Sequence, residues 1–453
     1  MSGHASKRYR PLPTGTHGLD PEDVKRDQRK RLQDALIELI AQKGYSGVRI
    51  VDLAKLAHVS PPTFYSLYED KEDLFLSTYD EVAARTAKSV LKAYAAEDPK
   101  SERLLVAMRT FAEIATSEPE AISLFVLGAF GAGSRALERR RRTLEEFESR
   151  IRVSRDGTGE GGDGDLTVKF ILGGIREVTA SRLRNGRQRE LLEAADELTA
   201  WAACYPRQLP VELRSPPIAP SPYDAGAIPA SERAQRAEGR LPSGRSDLPR
   251  QFIVKSQRER IVDATAAIAA EEGLAALTIP KIAKRANVSY QTFYNIYPSK
   301  HDAFLGAQKV GMHQALRIAI EAYESHGGDW PRATAAGLTA LIDFLASEPA
   351  HAHLSVVDTF AASPETIEIR SASMLGFAAY IQPGHELAGD VPSIAAEAIT
   401  GGIWQVFHHC IENDCIALLP AAAPQLTYMA LTPFVGPVEA AKIAREGGQP
   451  ASA

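Results

Sequence analysis

The strongest constraint on this chain is an internal repeat. Residues 29–75 and 258–304 align without a gap at a fixed offset of 229, and about 40% of the paired residues are identical. Both copies carry a glycine at the end of a first helical stretch (Gly44, Gly273) and an Ala-x-Val-Ser run (57–60, 286–289). Both then show Thr-Phe-Tyr-x-x-Tyr (63–68, 292–297) and close on Lys-x-Asp-x-Phe (71–75, 300–304). Ser117-Glu118-Pro119 returns as Ser347-Glu348-Pro349 at an offset of 230, and Gly173-Gly174-Ile175 returns as Gly401-Gly402-Ile403 at 228. A near-constant offset over whole halves means that a unit of about 200 residues is duplicated, too long and too few-fold for a solenoid.

Between the halves, 205–250 is dense in Pro, Ser, Gly and charge and reads as a solvated linker. At about 45 residues it spans roughly 35–40 Å as a random coil. A second loop, TGEGGDGD, occupies 158–165. Elsewhere, stretches such as 82–96, 104–115 and 168–183 lack period-two alternation and are rich in Ala, Leu and Arg, which favour helix. The expected fold class is therefore all-α. The expected domains are a basic tail over 1–20, a first head over 21–75, a first helical body over 76–204 and the linker 205–250. A second head over 251–304, a second body over 305–440 and a tail over 441–453 complete the chain.

Within each head the spacing predicts two short helices joined by a tight turn. In the second copy, Ile261, Ala264, Thr265 and Ile268 share one helix face and Gly273 stops that helix. Thr278 caps the next, Asn287 suits a left-handed corner, Val288 plugs it, and Ser289 caps 290–297. The first copy repeats the pattern with the corner His58-Val59 and the cap Ser60. This arrangement lays a second helix in the DNA major groove.

Val-Ser-x-x-Thr-Phe-Tyr-x-x-Tyr followed by Lys-x-x-x-Phe resembles the DNA-binding head of the TetR family, present here twice. The resemblance is close over the heads. Over the bodies it rests on length, helicity and the repeat. It implies a three-helix head, a long connecting helix, and a larger helical body that binds a small effector and dimerises through its last two long helices. Here one polypeptide would supply both halves of a pseudo-dimer, with a further dimer of whole chains left open. The sequence features expected to join the halves are the recurring Gly-Gly-Ile segments, whose small residues permit close helix approach.

Outward residues near the start of a recognition helix meet base edges, and flanking donors hold phosphates. In the second head Gln291 and Asn295 are the candidate base readers, since amides suit adenine. Tyr290, Thr292 and Tyr294 are candidates for phosphate, sugar or thymine-methyl contact, with Ser289 and Thr278 as caps near the backbone. The resemblance assigns Lys300 a phosphate contact. The first-head counterparts are Arg49, Ser60, Pro61, Pro62, Thr63, Tyr65, Ser66 and Lys71. Pro61 and Pro62 fit a first helical turn but offer no polar reading atoms. Phe64 and Phe293 read as head core. The basic run Lys25, Arg26, Arg29, Lys30 and Arg31, with Arg8 and Arg10 before it, reads either as an arm along DNA or as a solvated segment.

A net charge of -5 excludes a binder that coats nucleic acid by bulk charge, but leaves room for a local basic face. The double-stranded operator is expected to be asymmetric, because fusion frees the two heads to diverge. Phe125, Phe130, Phe360, Trp404 and Phe407 are the candidate lining of an effector cavity of unknown specificity, though core packing competes at each. His408, His409, Cys410 and Cys415 lack a metal-ligand spacing, so neither a metal nor a cofactor is expected. Three cysteines with no CxxC fit a reducing, cytoplasmic setting. The longest strongly apolar run, 121–133, is too short to cross a bilayer. The chain has no GxSxG, P-loop, HExxH or dinucleotide fingerprint, which argues against an enzyme. The remaining alternative is a helical ligand sensor or scaffold in which one or both heads no longer bind DNA.

Overall fold

The computed structural model describes residues 20–96, 103–156, 166–206, 209–214, 250–359 and 364–447, and every regular element among them is a helix. They fall into two compact units, 20–150 with 178–199, and 151–177 with 200–447. The units do not part at the expected linker, since 166–177 and 200–214 of the first repeat belong to the second unit.

In the first unit, α1 (Pro21–Gly47), α2 (Ile50–Leu56) and α3 (Pro61–Leu67) form the head, and α4 (Lys71–Ala96) leads out of it. The body adds α5 (Arg103–Ser117), α6 (Pro119–Leu127) and α7 (Ser134–Asp156). Asp20 caps α1 by accepting from the Glu22 N–H, and Pro21 fills the first turn. Gly44 then breaks the helix at a φ of 68°, a conformation that side chains disfavour. Leu32 and Leu36 of α1, Leu53 of α2, Phe64 of α3 and Phe75 of α4 are fully buried in one core. That core continues through Tyr79 to Ile122 and Leu124 of α6, so the head and its body share one apolar interior. On α7, Arg141 lies 2.8 Å from Glu145 and Arg142 2.7 Å from Glu138.

The second unit repeats the plan. Its head is α10 (Arg250–Glu272), α11 (Ile279–Arg285) and α12 (Tyr290–Ile296), followed by the connecting α13 (Lys300–Glu324). The body comprises α14 (Trp330–Ser347), α15 (Pro349–Val356), α16 (Pro364–Ile381), α17 (Ala395–Glu412) and α18 (Ala423–Glu446). Ile261, Ala264, Thr265 and Ile268 are all buried, but so are the residues between them, so this stretch of α10 is enclosed on every side rather than along the one expected face. Short α15 packs against α10, α13 and α17, and its Leu354 lies in the head core.

Helix α8 (Thr167–Arg184), which α9 (Leu191–Ala203) follows in the chain, begins in this unit, where its small residues meet α17. A Cβ on Gly173 would lie 2.4 Å from the Gln405 Cβ, and one on Gly401 would lie 2.4 Å from the Glu177 Cβ. A Cβ on Gly174 would fall 2.5 Å from the Ala398 carbonyl oxygen, and one on Gly402 2.7 Å from that of Phe170. These contacts exchange under the 228-residue offset, so the crossing has local two-fold symmetry. Charge breaks it: Glu177 pairs with buried Arg370 at 2.7 Å, whereas its counterpart is the neutral Gln405.

Two boundaries differ from expectation. The linker does not start at 205, because Tyr205 is buried with its hydroxyl donating to the Met429 carbonyl at 3.0 Å, and Leu209 and Leu213 are buried as well. Apolar residues recurring every four positions, 205, 209 and 213, give this Pro-rich run something to bury. The tail does not start at 441 either. Helix α18 continues to Glu446, burying Ile443 and Ala444, and ends at Gly447 with a φ of 67°. The 158–165 loop, residues 215–249 of the linker and Arg8 and Arg10 lie outside the described residues.

Candidate nucleic-acid interface

The turn between the two short helices is built alike in both heads. His58 and Asn287 occupy the corner with φ values of 52° and 50°, the left-handed conformation expected of Asn287. Behind each corner sits an arginine of the first helix. The Arg260 guanidinium donates to the carbonyls of Ala286 and Asn287 at 2.8 and 3.0 Å, and Arg31 donates likewise to those of Ala57 and His58. Both arginines are buried, at 8% and 5% exposed. They hold carbonyls that a helix end leaves without partners, and the charge suits that end of the helix. The sequence puts Arg31 in a basic run that reads either as a DNA arm or as a solvated segment, and its burial against the turn fits neither. The 229-residue offset that pairs it with Arg260 was the available signal for a structural role. Its neighbours are helical too, with Lys25 paired to Glu22 and Arg26 to Asp23.

Each recognition helix is capped as expected. Ser60 accepts from the Thr63 N–H at 3.2 Å and Ser289 from the Thr292 N–H at 3.0 Å. The two hydroxyls of each Ser-Thr pair also bond to each other. Phe64 and Phe293 point inward and are fully buried, while Tyr65, Tyr290 and Tyr294 are all more than half exposed. The apolar and outward faces therefore sort as helical periodicity predicts.

The outward faces differ in chemistry. In α12, Gln291 and Asn295 are exposed and joined, the Gln291 Nε2 donating to the Asn295 Oδ1 at 3.0 Å. The pair still presents the Gln291 oxygen as an acceptor and the Asn295 amide as a donor, the combination an adenine edge accepts. In α3, Pro61 and Pro62 lack N–H groups, and the Ser66 hydroxyl donates to the Thr63 carbonyl of its own helix at 2.7 Å.

The flanking groups show a second division. Thr278 caps α11 by accepting from the Lys281 N–H at 3.4 Å, whereas Arg49 makes no such cap and pairs with Asp52. Hydrogen bonds from Arg49 and Lys43 hold the Asp52 carboxyl well below the usual carboxylate range. The Lys43–Asp52 pair of the first head recurs as Glu272–Lys281 with the charges exchanged. Helix α11 thus carries Lys281, Lys284 and Arg285, where α2 carries Asp52 and Lys55. Lys71 and Lys300 each tie the connecting helix to the loop before the first short helix. Lys71 donates to the carbonyls of Tyr45 and Val48 at 2.9 and 3.0 Å and sits over the Tyr45 ring; Lys300 donates to that of Leu277 at 2.9 Å. Burial lowers the Lys71 pKa from its ordinary value. An ammonium has three N–H groups, so each lysine retains a donor for phosphate.

Of the five aromatic candidates for an effector cavity, Trp404 and Phe407 line one in the second body. The empty space between its walls is about 990 Å³, open solvent at the mouth included. Phe125 instead packs on Tyr79 with ring centroids 5.3 Å apart, against the core of the first unit. Phe130 lies in the turn Gly128–Gly131, and Phe360 falls outside the described residues. Cys410 is fully buried, which pushes its thiol pKa up to about 12, and His408 faces Glu412 at 3.3 Å. Among the described residues no helix is long and apolar enough to cross a membrane.

Residues 32–78 and 261–306 each match the family model described as bacterial regulatory proteins, tetR family. No curated protein matches the chain. Among solved structures, the chain aligns with the transcriptional regulator FadR from Bacillus subtilis, crystallised in complex with stearoyl-CoA. The two are 18% identical with a TM-score of 0.34, over 38% of this chain and 96% of that one.

Proposed function

The chain is a tandem member of the TetR family, a DNA-binding transcription regulator carrying that family's DNA-binding region twice, and from this premise we propose that its two heads grip one asymmetric operator. The observation that carries the reading is the divergence of the two outward faces. Phosphate-type residues are kept in both heads (Thr63/Thr292, Tyr65/Tyr294, Lys71/Lys300), while Gln291 and Asn295 stand opposite Pro62 and Ser66. Both heads grip backbone, and the second reads bases. The greater positive charge of α11 supports the same division.

The two repeats form one pseudo-dimer within the chain. Supporting this are the small-residue crossing of α8 on α17 and the Glu177–Arg370 pair, which joins residues of the two repeats. The protein acts as a repressor, and a small, largely apolar molecule in the second body relieves its grip on DNA. The apolar cavity beside Trp404 and Phe407 supports that part.

Selection of binding sites from random double-stranded DNA, followed by sequencing, tests the reading. The expected result is one well-defined half-site beside a weakly specified one. Recovery of a palindrome would contradict the division between the heads, and recovery of no sequence would favour a sensor without DNA recognition.

A further inference from the structure

The cavity of the second body has an apolar wall that includes Met312, Leu341, Phe344 and Phe377. Set in the same wall are His351 and Ser355 of α15, 3% and 4% exposed, and neither the His351 Nδ1 nor the Ser355 Oγ has a hydrogen-bond partner. Buried polar atoms without partners are rare in folded proteins, because their lost hydration is not replaced. These two lie side by side. A Cβ built on Gly311, itself a wall residue, would sit 2.9 Å from the Ser355 Oγ and 3.6 Å from the His351 Nδ1. Gly311 therefore sets no side chain against the pair.

The other nitrogen of His351 fixes what that space accepts. Its Nε2 lies 3.1 Å from the Asp263 Oδ1, on α10 of the second head. A carboxylate only accepts, so Nε2 carries the proton, and a neutral ring turns a lone pair at Nδ1 toward the cavity. A hydroxyl complements this pair, donating to Nδ1 while accepting from the Ser355 hydroxyl. Thr334 and Trp404 add two more unpartnered donors to the wall, suited to a carbonyl or ether oxygen.

We propose that the cavity takes a largely apolar molecule bearing a hydroxyl seated on His351 and Ser355, and that the second head reads its presence through the His351–Asp263 bond. The inference rests on the effector reading above and adds the ligand's chemistry and the route. It belongs to one repeat only. At the repeat offsets of 229 and 230, Gly311, His351 and Ser355 correspond to Val82, Ala121 and Phe125. Val82 and Ala121 are buried in the core of the first unit, and Phe125 packs against it.

Calorimetric titration of the full chain with nonan-1-ol and with its isomer octyl methyl ether tests the seat, since only the alcohol carries a hydroxyl proton. The alcohol should bind about tenfold tighter to wild type, the value of one well-made hydrogen bond. Gly311→Ala, which fills the space before the pair, and His351→Phe should each bring the isomers within about twofold. Asp263→Ala, which removes the acceptor of the His351 Nε2 proton, should keep alcohol binding within about threefold yet lose the alcohol's effect on affinity for the selected operator. Equal affinity of the isomers for wild type would overturn the seat and leave an apolar effector standing. An Asp263→Ala protein that still responds would overturn the route, and binding of neither isomer would remove the effector reading together with this inference.

Discussion

Arg260→Ala is expected to destabilise the second head by about 3 kcal/mol, and Arg31→Ala to do the same to the first. Each arginine makes two hydrogen bonds from a charged donor to buried or half-buried carbonyls of the recognition turn, and such bonds contribute roughly 1.5–3 kcal/mol each. Alanine also leaves those carbonyls without partners at a corner already held in left-handed conformation by His58 or Asn287. Arg260→Lys should recover part of the loss, because both bonds leave the single Nη1 and an ammonium carries enough N–H groups to make them. Hydrogen exchange over 279–297 of the full chain is the direct readout. Protection in Arg260→Ala equal to wild type would show that the caps alone hold the turn.

Gly174→Val should cost about 3 kcal/mol or more of global stability. Its Cβ would fall 2.5 Å from the Ala398 carbonyl oxygen and 2.5 Å from the Trp201 ring. Backbone cannot swing aside as a flexible side chain can, so α8 and α17 must separate, and overpacking of this kind costs about 1–3 kcal/mol before lost contacts are added. A residue with any side chain gains at most about 1 kcal/mol over glycine in a helix, too little to reverse the sign. Gly389→Ala is the control, since a Cβ there meets nothing within 4 Å. It should change stability by less than about 0.5 kcal/mol. Equal melting of Gly174→Val and wild type would mean that the crossing is looser than described and would weaken the pseudo-dimer reading with it.

The heads were the most legible part of the chain. Caps at Ser60, Thr278 and Ser289, the glycine stops, the left-handed corner and the inward Phe64 and Phe293 all follow from local rules of spacing and backbone preference. What the sequence hid depends on contacts between distant residues. Nothing local separates the buried Arg31 from exposed Lys25 and Arg26 beside it, and only its repeat partner Arg260 marks it out. The inward reach of Lys71 and Lys300 to carbonyls of the preceding loop is likewise a tertiary fact. In the bodies, an aromatic at helical spacing lines a cavity or fills a core according to its neighbours. Trp404 and Phe407 did the first and Phe125 the second. His351 and Ser355 went unnoticed because their meaning lies in unmade hydrogen bonds, which no spacing records. The Pro-rich run after 205 misled for the opposite reason, since its composition outweighed the few apolar residues that anchor it.

The central claim, that one chain carries two unlike readers of a single site, is tested most directly by a base-by-base affinity profile of the selected operator for wild type and Asn295→Ala. Loss of an amide contact to a base edge should cost about 1–3 kcal/mol and flatten sequence preference at one or two positions of one half-site only. The other half-site, gripped through Thr63, Tyr65 and Lys71, should keep its weak profile unchanged. A palindromic wild-type profile, or an Asn295→Ala protein that loses preference equally in both arms, would contradict the account and assign the reading to the threonines and tyrosines that the two heads share.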